Sequence, residues 1–213
     1  MKRWKFPFVV FGLAVGVLVA ATGATGYPIA KPKPKPKPVF VTEIRADTID
    51  SVSGQIVAGG IDAAEAPSGN LFLASASVQL RTRTVGKPAG TSFSTSDVTG
   101  GGEYAIRQGT TTVDEGAWSV TGAAQVSLLG GTFSGAVDAI GHADQAIGGR
   151  IQVTAHLVPD SGAPRDATLT LDCNLSGSSE LVEGFKITDG SVTYSQFEGG
   201  GSTLFHRWIQ RVK

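Results

Sequence analysis

From Phe40 onward the chain alternates. Apolar and polar residues exchange places every second position, run after run, with glycine between the runs. Side chains on an extended strand point to opposite faces in turn, so this period builds half-buried strands and does not build amphipathic helices. The runs "VFVTEI" (39–44), "DSVSGQIVA" (50–58), "NLFLASASVQLRTRTV" (70–85), "EYAIRQGTTTV" (103–113) and "AWSVTGAAQVSL" (117–128) follow this rule. So do "TFSGAVDAI" (132–140), "GRIQVTAHLV" (149–158), "ATLTLDCNL" (167–175), "FKITDGSVTYSQF" (185–197) and "STLFHRWIQRV" (202–212). Asp189-Gly190 inside the ninth run is the strongest hairpin signal. Only "SSELVEG" (178–184) suggests a helical turn, and "SDVTGGGEY" (96–104) and "FEGGGSTL" (197–204) read as flexible loops. The expected fold is all-β: a single antiparallel β-barrel, jelly roll or sandwich of about ten strands, with the 202–212 run as a closing strand and Trp208 capping the barrel end.

Glycine recurs after an apolar and a small residue in "VSGQIV", "VTGAAQV", "FSGAVDAI" and "IGGRIQV". The spacing of Gly122, Gly135 and Gly149 is too short for a propeller blade and too uneven for a regular solenoid. Bulge or hairpin-corner glycine is the simpler reading.

Ahead of this domain stand two different segments. Residues 1–26, "MKRWKFPFVVFGLAVGVLVAATGATG", carry a basic start, an apolar run and small residues at cleavage-like spacing. They read as a signal peptide or, uncleaved, as a membrane-anchoring hydrophobic helix. Either way the positive flank stays inside and the domain is exported: periplasmic, cell-surface or secreted, with anchoring in the cytoplasmic membrane as the uncleaved case. Residues 27–38 form a Lys-Pro spacer. Proline favours polyproline II and the lysines repel one another, so the eight residues make a stiff rod of about 25 Å. Lys31, Lys33, Lys35 and Lys37 are the candidate contacts to anionic lipid or wall polymer. The third segment, 39–213, is the β-domain.

Charge separates these parts. Residues 1–38 hold seven of the 18 basic residues and no acidic one, which leaves the domain 11 basic against 18 acidic residues, a balance of −7. An acidic domain repels phosphate, so no nucleic-acid partner is expected. Cys173, the single cysteine, lies on an apolar strand face and reads as a small core residue. Asn174-Leu175-Ser176 matches the N-glycosylation sequon.

The chemical inventory is thin. No nucleophile elbow, phosphate-binding loop, paired-cysteine zinc spacing or calcium loop is present. No cofactor is expected. Asp138, His142 and Asp144 would share one face of an extended run, so they are the candidate metal ligands or acid–base groups of a hydrolase or metal enzyme. A solvated strand end explains them more simply. His156 reads as exposed beside Thr154. His206, Arg207 and Trp208 form a basic, aromatic run suited to a partner contact.

One stretch resembles a known family. "IRADTIDSVSGQIVAGGID" (44–62), with Ala46-Asp47, Ser53-Gly54 and Ile56 to Gly60, resembles the repeat of the periplasmic lipopolysaccharide-transport β-jelly-roll proteins, the organic-solvent-tolerance A-like family; "GNLFLASASVQL" (69–80) would be the next rung. The resemblance implies a β-jelly roll with an apolar groove that carries lipid or glycolipid. It names no binding residues and does not include the spacer. The expected function is therefore a binding or structural, non-enzymatic role in the envelope or outside the cell, toward an apolar ligand or a protein partner, with lipid carriage and hydrolysis as alternatives.

Overall fold

The structure is a computed structural model that describes residues 33–131, 133, 137–179, 181–197 and 200–212. The hydrophobic leader, Lys31, Gly135 and most of the 132–136 run lie outside the described residues. The chain divides into two units, Met1–Pro36 and Lys37–Lys213. Of the first, residues 33–36 are described; they are exposed and form no regular element. Lys33, Lys35 and Lys37 are all exposed.

The second unit is all-β. Its described residues form fourteen strands in one continuous sheet. They are β1 (Val39–Val52), β2 (Gln55–Ala58), β3 (Asp62–Glu65), β4 (Leu71–Ala74), β5 (Ser77–Val85), β6 (Ser92–Thr95) and β7 (Asp97–Gln108). There follow β8 (Thr111–Gly130), β9 (Val137–Asp138), β10 (Gly148–Pro159), β11 (Arg165–Cys173), β12 (Gly184–Asp189), β13 (Val192–Gln196) and β14 (Ser202–Val212). Eight of them close into an antiparallel barrel in the order β3-β4-β7-β8-β10-β11-β12-β13, and β13 returns to β3. Neighbours in the ring follow one another along the chain, with the other strands as excursions. Closure removes the exposed edges that an open sheet would present.

The barrel flares at one end. The second half of β7 pairs with β4, but its first half, 97–101, pairs with β5. The first half of β8 pairs with β7, but residues 124–127 pair with β6. β5 in turn pairs with β1, and β1 with β14 over eleven residue pairs. A second layer, β14-β1-β5-β7, thus grows out of the barrel wall, and one contiguous core joins the two parts. The remaining pairs include one parallel contact, between β2 and β9.

The interior is filled. Phe72 stacks on Tyr104 with ring centres 5.3 Å apart, and meets Phe185 and Tyr194 edge-on at 5.9 and 5.4 Å. Each such pair adds about 0.5–1.5 kcal/mol to the area it buries. Alanines at 64, 74, 155 and 167 make room for these rings. At the end where the β7–β8, β10–β11 and β12–β13 hairpins lie, Arg165 bonds Asp114 at 2.6 Å and Asp189 at 2.8 Å, over the Tyr104 ring. Three elements are tied there by one guanidinium, whose planar fork suits two carboxylates.

Several expectations need correction. The all-β barrel forms as expected, with fourteen strands among the described residues where about ten were expected, because long runs are broken: 50–58 is a hairpin turning at Ser53-Gly54, both with positive φ, and 70–85 splits at Ser75-Ala76. The 202–212 strand forms but pairs with β1 outside the barrel, so β13 meeting β3 is the closure, and Trp208 does not cap a barrel end. No helix forms among the described residues of 178–184. The Asp189-Gly190 hairpin is present, with Gly190 at the first turn position and positive φ.

The largest correction is at 96–104. The glycine triplet is not a loop but the middle of β7. A Cβ on Gly102 would lie 2.0 Å from the Ser75 carbonyl oxygen, and one on Gly101 2.4 Å from that of Trp118. Glycine here marks close backbone approach, not flexibility. Gly102 also leaves space for the Trp118 indole to donate to Ser75 O at 3.0 Å. Gly102→Ala should therefore lower stability by about 2 kcal/mol or more, while Gly90→Ala, with open space around it, should stay within about 0.5 kcal/mol. Urea unfolding of the two variants measures this contrast.

Candidate functional site

The outer face of β14-β1-β5-β7 carries a polar surface hollow, a groove of about 510 Å³. Strand alternation lays out its lining. Each strand gives two side chains, two residues apart: Trp208 and Gln210 from β14, Glu43 and Arg45 from β1, Gln79 and Arg81 from β5, Asp97 and Thr99 from β7. The register sets them in rows, with Glu43 opposite both Trp208 and Arg81, and Arg45 opposite Gln79. Ile44 and Leu80 alternate inward to the core, which fixes the face. A second hollow of about 320 Å³ shares Arg81 and Asp97 and continues to Arg83 and Val212.

The groove stops where the 138–147 segment covers the same face. Here Asp138, with its side chain 2 % exposed, bonds the wholly buried ring of His206 at 2.5 Å. The other Asp138 oxygen accepts the backbone N–H groups of Ile140 at 2.8 Å and Gly141 at 3.2 Å. Gly141 lies flat on the imidazole: a Cβ there would stand 2.7 Å from Cδ2. Ile147 donates to Phe205 O, and Ala146 bridges to His206. Burial pushes the Asp138 carboxyl upward, but the His206 bond and the two amides outweigh it and hold the group below the usual carboxylate range. Trp208, which lines the groove, stacks on His206 with ring centres 5.7 Å apart.

Arg45 and Asp47 lie next to this pair on β1. Asp47 is fully buried, and its Oδ2 is 2.7 Å from Arg45 Nε. The N–H is not aligned with the oxygen, so the contact is one of charge rather than a formed hydrogen bond.

An aspartate–histidine pair can orient an imidazole for proton transfer, but it then needs access to a substrate. His206 has none, and its Nδ1 meets no hydrogen-bond partner among the described residues. The pair acts as a latch that fastens the 138–147 segment to β14. The expected grouping of Asp138, His142 and Asp144 does not form: a 3-10 turn at Ala143–Gln145 breaks the extended run, Asp138 turns inward and the other two stay exposed. No cluster of three potential metal ligands occurs among the described residues. His206 was legible only as part of a basic aromatic strand, since its partner is 68 positions away. His156 is partly exposed and bonds Asp166 across the β10–β11 pair at 2.7 Å.

A second charged cluster lies inside. Asp62 is 1 % exposed, and its carboxyl is pushed up to about 6, chiefly by burial and further by the Glu183 charge, against the Ala63 amide that bonds it. Gly201, at φ +149°, packs so closely that a Cβ would fall 2.4 Å from Asp62 Oδ1. Glu183 accepts from the amides of Asn174 and Thr203, while burial pushes its own carboxyl up. Asn174 also donates through its side chain to Ser178 O and Leu181 O at 3.0 Å. A glycan attached to that nitrogen would replace one of its two N–H groups and so remove one of these bonds. Cys173 is fully buried and its thiol pushed up to about 12, again chiefly by burial, which fits a core residue.

No protein family, curated protein or solved structure matches this chain.

Two outcomes follow from these carboxylates. Asp138 has a native pKa below its unfolded value, so its ionisation stabilises the fold at neutral pH, and this is lost as pH falls through the lowered value. Asp138→Ala leaves His206 buried without its partner and should cost about 3 kcal/mol at neutral pH, read by urea unfolding. Asp62 has the opposite sign. Its raised pKa means that ionisation disfavours the fold, so its contribution is lost as pH rises from about 4 to about 6, by up to about 3 kcal/mol. Asp62→Asn should stabilise the protein above pH 7, with the gain vanishing near pH 4; thermal melts across that range test it.

Proposed function

We propose that the chain is a non-enzymatic binding domain held outside the cytoplasmic membrane, and that its contact surface is the groove on β14-β1-β5-β7. One observation carries this reading: two side chains from each of four strands, seven of them polar and the eighth the indole of Trp208, converge on one open hollow. Binding sites are concave and present a few convergent polar groups. The strands beneath are rigid, since β1 pairs along its length with β14 and β5. The basic, apolar leader supports export, and the Lys-Pro spacer would supply reach from a membrane or a contact to anionic lipid or wall polymer.

Lipid carriage, which the resemblance implies, draws less support. A carrier needs room for acyl chains, and the Phe72, Tyr104, Phe185 and Tyr194 rings occupy the barrel. Hydrolysis near Asp138, His142 and Asp144 draws less still, because Asp138 is turned inward onto the buried ring of His206 while His142 and Asp144 stay exposed.

The test is retention of the full-length chain on envelope material from its own host. Thr99 is exposed on β7 and lines the groove. Thr99→Trp fills the hollow with a residue that strands accept. The native chain should be retained and this variant released. Equal retention of both would defeat the reading, as would lipid co-purifying in stoichiometric amount.

A further inference from the structure

We propose that the groove binds a neutral glycan chain, an inference that rests on the binding role above. The first argument is charge. Arg45 is neutralised by Asp47 at 2.7 Å and Arg81 by Glu43 at 3.3 Å, and Asp97 lines the same hollow as Arg83. Three guanidinium groups and three carboxylates thus share one face, and two of each are joined in ion pairs. An anionic polymer or phosphate would meet Glu43 and Asp97, and the domain around them is acidic. A cationic ligand would meet the arginines. An uncharged ligand pays neither penalty.

The second argument is the type of polar group. Gln79, Gln210 and Arg81 offer planar donors, and Glu43 and Asp97 offer acceptors in pairs. Adjacent hydroxyl groups on a sugar ring donate and accept at once, so they satisfy such a mixed lining in a way that an acyl chain cannot. A desolvated acyl chain here would leave these groups unpaired.

The third is the aromatic wall. Trp208 is held by stacking on His206, which Asp138 and Gly141 fix from behind. The C–H face of a sugar ring packs on an indole, and an indole already immobilised loses little freedom on binding. The fourth is shape. The two hollows join end to end through Arg81 and Asp97, which gives an open trough suited to an extended polymer.

The experiment is affinity electrophoresis of the full-length chain through gels containing a neutral β-glucan, mannan or galactan, with polygalacturonate as the anionic comparison. At least one neutral polymer should retard the native protein with little dependence on salt. Trp208→Ala should weaken that retardation at least about tenfold. Because Trp208 packs on a buried residue, the Gln79→Ala, Gln210→Ala double variant at two exposed positions is the second test. It should weaken binding with an unchanged melting temperature. No retardation by any neutral polymer, or salt-sensitive retardation by polygalacturonate alone, overturns the proposal. Periodate, which oxidatively cleaves the carbon–carbon bond between carbons bearing neighbouring hydroxyls, separates the two readings on envelope material. Retention that Thr99→Trp abolishes but periodate spares keeps the binding role and removes the glycan; retention indifferent to Thr99→Trp removes both.

Discussion

The architecture depends on one close approach of backbones. At Gly100, Gly101 and Gly102, β7 changes partners: it leaves β5 and takes up β4 while still paired with β8 on its other side. Added Cβ atoms at these positions would fall within 2.4 Å of carbonyl oxygens of Ser77, Trp118 and Ser75. A strand with side chains at all three positions could not serve both the barrel and the second layer. The glycines therefore cost conformational entropy in the unfolded chain and return a branch point. Without that branch there is no β14-β1-β5-β7 face, and hence no groove.

The same junction explains why the fold was only partly legible in the sequence. Alternation is a local signal, and it located strands from Phe40 to the C-terminus, including the Gly190 hairpin. It could not reveal that Gly100 to Gly102 continue a strand, because a glycine run looks the same whether it is slack or tightly packed. It also could not show which strands close the barrel. The 202–212 strand has the pattern of any half-buried strand, and its pairing with β1 spans most of the domain. The closing contact of β13 with β3 involves only two residue pairs, too few to leave a recognisable pattern.

The site shows the same division. Side chains that share a face through strand spacing were readable, as with Cys173 in the core. Side chains that meet across the chain were not. Even spacing in the sequence groups Asp138 with His142 and Asp144, but Ala143–Gln145 turns into a 3-10 helix. Asp138 is instead satisfied by Ile140 N–H, Gly141 N–H and His206. The groove itself has no motif: its lining is pairs of residues from four separate strands, assembled only by register.

Latch and groove are physically linked. Buried ionic contacts need full satisfaction to avoid a desolvation penalty, and they hold few alternative geometries. Asp138 meets that condition with three donors, and so fixes the plane of the His206 ring. The ring fixes Trp208 in turn by stacking. The histidine is thus packed by Gly141 and in turn supports the aromatic wall of an open surface. The pair's chemistry is spent on holding a shape. A barrel filled with aromatic rings and a histidine without access leave the mixed polar trough on the outer layer as the surface on which the proposed binding rests, and register rather than motif defines that surface.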